Sequence, residues 1–141
     1  MLPTISQVKL LLSDFLIKNI IDLDIRNYPV KVNCLIPTFL IIGSGTSCRH
    51  IRKVGTLLTK ELKGLGISEL ENINIRGSKI EDAIYIPILE IGVHLMTEQA
   101  RIDTQMEERI THLITEENSI LTSEHYFPKN FDRKKKFYNG K

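Results

Sequence analysis

Two stretches of this chain hold residues of the type and spacing that chemistry needs. Gly43-Ser44-Gly45-Thr46-Ser47 stands between the apolar run Phe39-Leu40-Ile41-Ile42 and a helical pattern that begins near Cys48. The first amides of a helix have no partners within it and carry partial positive charge, so a glycine-rich loop at that place can hold an anion. The pattern is incomplete, because the dinucleotide fingerprint needs a third glycine where Cys48 stands and a phosphate loop ends in Gly-Lys-Ser or Gly-Lys-Thr. A tight turn that uses glycine's backbone freedom accounts for the same residues. Asp22 and Asp24, within Ile21-Asp22-Leu23-Asp24-Ile25, are the second stretch. Two carboxylates on one strand face can hold magnesium, although alternating acids are more often a solvated face.

Other side chains assemble less. His50, His94, His112 and His125 have no metal spacing, and Glu108 with His112, one helical turn apart, reads as a surface pair. Ser44 and Ser47 lack a Gly-x-Ser-x-Gly elbow and an identifiable base. No catalytic residue and no cofactor is therefore assigned.

Charge is more informative. The net charge of +2 conceals a tail, residues 129–141, that carries +5 and a body, residues 1–128, that carries −3. Arg133, Lys134, Lys135 and Lys136, beside Phe131, Phe137 and Tyr138, combine cations for phosphates with rings for bases, the composition of an RNA-contacting segment. Arg49, Arg52, Lys53, Lys60 and Lys63 lie on the polar side of the central helical pattern, where by themselves they read as a solvated face.

Periodicity gives the elements that position these residues. Thr4-Ile5-Ser6-Gln7 is a capping box, and Ile5, Val8, Leu12, Phe15 and Leu16 form one apolar stripe, which predicts a helix over residues 5–17. Ile21, Leu23 and Ile25 alternate with the two aspartates and predict a half-buried strand; an irregular connection over Asn27 to Thr38 follows. Phe39 to Ile42 is a buried strand, and Ile51, Val54, Leu58, Leu62 and Leu65 repeat as a helix capped by Thr46 or Ser47 and ended by Gly64 or Gly66. Leu70 to Gly77 reads as a further strand. Ile84, Ile86 and Ile88 are even-numbered while Leu89, Ile91, Val93 and Leu95 are odd, so the buried face switches as it does across a tight antiparallel hairpin. Pro87 places the first of these strands at a sheet edge, since it has no amide to donate. Thr97 caps one last helix with the stripe Ile102, Met106, Ile110, Leu113 and Ile114, and Glu107, Glu108 and Arg109 fall on its outer faces.

The sum is an α/β chain, a mixed sheet covered by helices, divided as an N-terminal helix (1–18), a central domain (19–117) and a basic aromatic tail (118–141). A chain of 141 residues supports one core, and no apolar stretch approaches the roughly 18 residues that span a bilayer, so no membrane role is expected. Cys34 and Cys48 form no disulfide or zinc pattern, which fits a reducing compartment. Residues 1–30 lack the arginine bias of a transit peptide and the basic-then-apolar order of a secretion signal.

One order of residues carries a resemblance. Leu23-Asp24-Ile25, then Phe39 to Ile51 with its Gly-Thr-Ser-x-Arg-His stretch, then Ile75-Arg76-Gly77, Asp82, Val93-His94-Leu95, Ala100-Arg101 and Met106-Glu107 resembles the ribosomal silencing factor or Iojap family, RsfS. The resemblance covers roughly Leu11 to Ile110 and implies a non-enzymatic domain distantly similar in fold to nucleotidyltransferases. It implies a factor that docks on the large ribosomal subunit, through its ribosomal protein fourteen and nearby rRNA, and prevents subunit joining during assembly or silencing. Mitochondrial relatives act with a LYR-motif protein and an acyl carrier protein. In the family's docking strand this chain has Ala83 where a Trp stands, Ile86 for a Leu, and Pro87-Ile88-Leu89-Glu90 for an Asp-Tyr-Gly-Asp turn; Thr104-Gln105-Met106-Glu107 stands for a Tyr-x-Leu-Glu.

The expected docking residues are thus Ala83, Ile84, Ile86, Ile88 and Glu90, with Arg133 to Lys136 on rRNA. Divergence at the docking edge together with the basic tail inclines the expectation to a mitochondrial member, with the bacterial cytoplasm as alternative. The free edge allows a homodimer. The competing functional reading is a nucleotide-using, nucleotidyltransferase-like enzyme built on the Gly43 to Ser47 loop with Asp22 and Asp24 as metal ligands.

Overall fold

The computed structural model of the chain describes residues 4–28, 31–32, 37–65, 83–88, 90–115 and 120–121. Thr4 starts the first helix through the predicted capping box: its hydroxyl accepts from Gln7 N at 3.1 Å, and the Gln7 side chain accepts from Thr4 N at 2.8 Å. Helix α1, Ile5–Asp14, stops short of the expected residue 17. Leu16 enters the left-handed region at φ 68°, and Ile17 turns inward to become buried.

Four strands form one sheet. β1, Lys18–Asp24, pairs antiparallel with β3, Phe39–Gly45, which runs parallel to β5, Ile91–Thr97. β4, Ala83–Ile88, pairs antiparallel with β5, giving the order β1-β3-β5-β4. The predicted hairpin is present, with Ile88 opposite Ile91, and Pro87 lies on the edge strand. Between β1 and β3, Ile25–Asn27 makes a 3-10 turn, and β2, Lys31–Val32, pairs in parallel with β6, Ile120–Leu121. The connection expected to be irregular therefore contains a strand, and the chain is tied to the body beyond residue 118, where periodicity ends. The strand expected at 70–77 and the basic tail lie outside the described residues.

Parity sorts the core into two layers. On one face Ile41, Ile84, Ile86, Ile88, Ile91, Val93 and Leu95 pack beneath α1 and helix α2, Cys48–Gly64, which contributes Ile51, Val54, Leu58 and Leu62. Each such side chain taken from water contributes roughly 1.5–3 kcal/mol before the entropy of ordering is charged against it. On the other face Leu40, Ile42, Tyr85 and Met96 meet Ala100 of helix α3, Glu98–Thr104, and Met106, Ile110 and Ile114 of helix α4, Met106–Thr115. β3 is covered on both sides, which is why its sequence is continuously apolar rather than alternating.

Three expectations need correction. Gly43-Ser44-Gly45 is not a loop: these residues continue β3, opposite Leu95, Met96 and Thr97 of β5, and only Thr46 and Ser47 turn the chain. Their glycines are demanded by packing. A Cβ at Gly43 would lie 2.5 Å from Ile17 Cγ2, and one at Gly45 would collide with Ile51 Cγ2. Gly64 does not end α2 in a left-handed conformation; it is helical, and Leu65 caps the helix at φ −84°. The last helix is two helices, because Gln105 adopts φ 47° and resets the helical phase. Ile102 is consequently 62% exposed, whereas Met106, Ile110 and Ile114 reach the core. Glu107 and Arg109 are half-buried rather than on the outer face, where only Glu108 stands fully exposed.

Candidate docking edge and sheet-end cleft

β4 is the last strand of the sheet, and among the described residues no other strand pairs with its outer side. Antiparallel pairing alternates inward and outward amides, and Pro87 sacrifices no ladder bond if its nitrogen faces outward. The outward nitrogens in step with it belong to Ala83 and Tyr85. The side chains of Ile84, Ile86 and Ile88 are 3%, 1% and 0% exposed and belong to the core beneath α2, so these residues offer a partner only main chain. Ala83 and Pro87 are half-buried and Glu90 is exposed, so the side-chain features of the edge are these three. Glu90 O accepts from Phe39 N at 3.0 Å and ties the hairpin turn to the start of β3.

The back of this edge is closely packed. Tyr85 lies across β5: a Cβ on Gly92 would be 2.8 Å from both Tyr85 Oη and Pro37 Cγ, so only glycine lets the ring approach the backbone. The Tyr85 and His94 rings sit 4.7 Å apart at 44°. Burial, and secondarily the positive charge of Arg109, push His94 down to about 3, so this imidazole is neutral at ordinary pH. Arg109 is itself lowered by burial and donates from Nη2 to Met106 Sδ at 3.2 Å.

At the far end of β3, a cleft of ≈ 580 Å³ opens between the start of β1 and the α3–α4 break, with Ser44 and Arg101 in its lining. Arg101 Nη1 donates to Ser44 Oγ at 2.8 Å while its Nε donates to Glu107. Ser44 is buried, and a guanidinium cannot take its proton, so the contact fixes the hydroxyl without activating it. The break at Gln105 is what lets Glu107 turn back towards Arg101. Nothing in the spacing of Ser44, Arg101 and Glu107 joined them; each lies within a stretch quoted above for its resemblance, and that was the only signal.

The remaining chemical candidates are structural. Ser47 caps α2 by accepting from His50 N at 3.1 Å. His50 Nδ1 accepts from Thr46 N at 2.9 Å, which places the proton on Nε2, 2.8 Å from Phe15 O. His50 therefore locks the β3–α2 turn to the end of α1. Asp22 is bound by Lys9 Nζ at 2.7 Å, and Asp24 by Arg26 at 2.9 and 3.0 Å. The hydrogen bonds from Arg26 hold the Asp24 carboxyl below the usual carboxylate range. Arg26 also covers the Phe39 ring at 4.6 Å. Among the described residues no group of three or more His, Cys, Asp or Glu converges to hold a metal, and no helix is long and apolar enough to cross a membrane. Arg133, Lys134, Lys135 and Lys136 lie outside the described residues.

Comparison with known proteins agrees with this architecture. A family model described as "Ribosomal silencing factor during starvation" matches residues 4–131. A crystal structure of a protein from Chromobacterium violaceum is similar in fold at TM-score 0.55 and 22% identity, covering 75% of this chain and 85% of that one. One from Bacillus halodurans is similar at TM-score 0.56 and 18% identity, covering 72% and 87%.

Proposed function

The chain belongs to the RsfS family of ribosomal silencing factors, and on that premise we propose that it binds the large ribosomal subunit and keeps the small subunit from joining. The observation that carries the reading is the edge of β4, where among the described residues no strand pairs with the outer main-chain groups, which invite a partner's backbone or side chains. In this reading Ala83, Pro87 and Glu90 touch ribosomal protein fourteen, and Ile84, Ile86 and Ile88 hold the edge straight from behind. Arg133 to Lys136 add contacts to rRNA, and a mitochondrial ribosome is the proposed setting, supported by the divergent turn at Pro87 to Glu90 and by the basic tail. The role is non-catalytic, in keeping with a Ser44 bound to Arg101 and aspartates bound to Lys9 and Arg26.

Pelleting of purified large subunits with the full chain tests the edge. Ile86→Asp is unsuitable, because it would bury an unpaired charge and unfold the sheet. Ala83→Trp is the informative variant: an aromatic anchor at a half-buried edge position should tighten binding roughly tenfold or more, the scale of about 1.4 kcal/mol or above. Glu90→Lys should weaken it, and replacement of Lys134, Lys135 and Lys136 by Glu should weaken it more as salt is lowered. Binding unchanged in both Ala83→Trp and Glu90→Lys would remove the edge-docking reading, and unchanged binding in the tail variant would remove the rRNA contact.

A further inference from the structure

The five cations of α2 are placed differently from a scattered solvated face. At about 100° per residue, Arg49, Arg52, Lys53, Lys60 and Lys63, with Thr56 among them, fall in one sector about 100° wide, opposite the buried stripe Ile51, Val54, Leu58 and Leu62. All but Arg52 are exposed, and Arg52 is half-exposed. Among the described residues the ion pairs use Lys9, Arg26 and Arg101 and none involves this stripe, and Glu61 lies outside its sector. Like charges therefore face one another at Arg49 and Lys53, one turn apart, and again at Lys60 and Lys63.

The rest of the body makes the stripe more conspicuous. With five cations against Glu61, α2 carries +4, and because residues 1–128 together carry −3, the remainder of that body carries −7. Within residues 1–128, which are net acidic, positive charge is thus concentrated on one rod, while Glu98 and Glu108 are exposed on α3 and α4, which cover the opposite face of the sheet. From Arg49 to Lys63 the rod runs about 21 Å, long enough to follow several consecutive phosphates. Near its end Thr56, Thr59, Lys60 and Lys63 line a shallow depression of ≈ 350 Å³.

We propose that the outer face of α2, through Arg49, Arg52, Lys53, Lys60 and Lys63, is a binding site for the phosphate backbone of structured RNA, separate from both the β4 edge and the basic tail. It rests on the ribosomal reading for the source of the RNA, and on the stripe alone for the chemistry. The contacts are to phosphates, so they orient the domain and carry no sequence preference.

The test uses the full chain and a base-paired RNA hairpin, with affinity measured across a salt series for wild type, K53Q/K60Q/K63Q, K53R/K60R/K63R and K134Q/K135Q/K136Q. Arg49 is left intact because it lies in the first helical turn, beside the Ser47 cap that seats α2. The Gln stripe variant should lose tenfold or more in affinity, about the effect of removing three phosphate contacts, and the slope of log affinity against log salt should fall by about 2–3. The Arg variant should behave as wild type, and thermal melting of the Gln variant should be unchanged or raised. An unchanged affinity and slope in the Gln variant, with all loss confined to the tail variant, would overturn the site. Stripe-dependent binding to phosphatidylserine vesicles but not to the hairpin would overturn it as well. If the Gln variant binds RNA normally while wild type follows large subunits, only this site fails. If the stripe binds RNA and wild type ignores large subunits, the site stands and the ribosomal reading fails.

Discussion

Two buried polar residues tie chemistry to stability. The folded protein keeps His94 neutral down to about pH 3, whereas an unfolded histidine takes a proton near 6.5. Between those values the unfolded chain binds more protons, so the contribution of His94 is fully present above about pH 6.5 and is lost as pH falls, by up to ~1.4 kcal/mol per unit. Urea midpoints measured from neutral to acid pH should fall less steeply for His94→Gln than for wild type; parallel profiles would contradict the burial argument. Arg101→Met leaves the buried Ser44 hydroxyl and the half-buried Glu107 without their donor, and should cost roughly 1–3 kcal/mol in chemical denaturation. Gly43→Ala should destabilise by about 1–3 kcal/mol, because its Cβ meets Ile17. At this scale the sequence marked Ser44 and the glycines as notable but misplaced their purpose. A phosphate loop and a crowded strand both call for glycine, and which one applies depends on Ile17 and Ile51, whose approach no local pattern encodes.

Among the elements, those defined by local chemistry were legible. The capping box at Thr4, the cap at Ser47, the cap at Thr97 and the parity switch between Ile88 and Ile91 each follow from side-chain types within a few residues. The break at Gln105 was not. Ile102, Met106, Ile110 and Ile114 keep helical spacing straight through it, and neither glycine nor proline announces it. A non-glycine residue at φ 47° carries a backbone cost that glycine avoids, so Gln105→Gly should leave the fold intact and raise stability by up to about 1 kcal/mol. Thermal melting checks this, and a lower melting temperature would mean that the Gln105 side chain stabilises the break. The bounds of α1 and β3 erred for a related reason: α1 ends so that Ile17, after an exposed Leu16, can enter the core, and Gly45 stays in β3 against Ile51.

For the whole molecule, the mixed sheet between helices was legible because β3 reads apolar on both faces and its neighbours alternate, and the family order of residues supplied what periodicity could not. Strand β4 was legible as an edge, through Pro87, but not in which atoms it presents: side-chain parity says that Ile84, Ile86 and Ile88 share a face, and only the position of α2 shows that this face is the core. In the proposed reading, an acidic body with one cationic helix and a strand edge that no described strand pairs with suits a partner that is part protein and part nucleic acid. The most direct measurement of that account is a subunit-joining assay, in which purified large and small subunits are mixed with and without the full chain and resolved on a gradient. The account predicts that the protein travels with free large subunits, is absent from joined ribosomes and lowers their yield in proportion to its occupancy. Undiminished joining, with the protein left at the top of the gradient at both low and moderate salt, would contradict it.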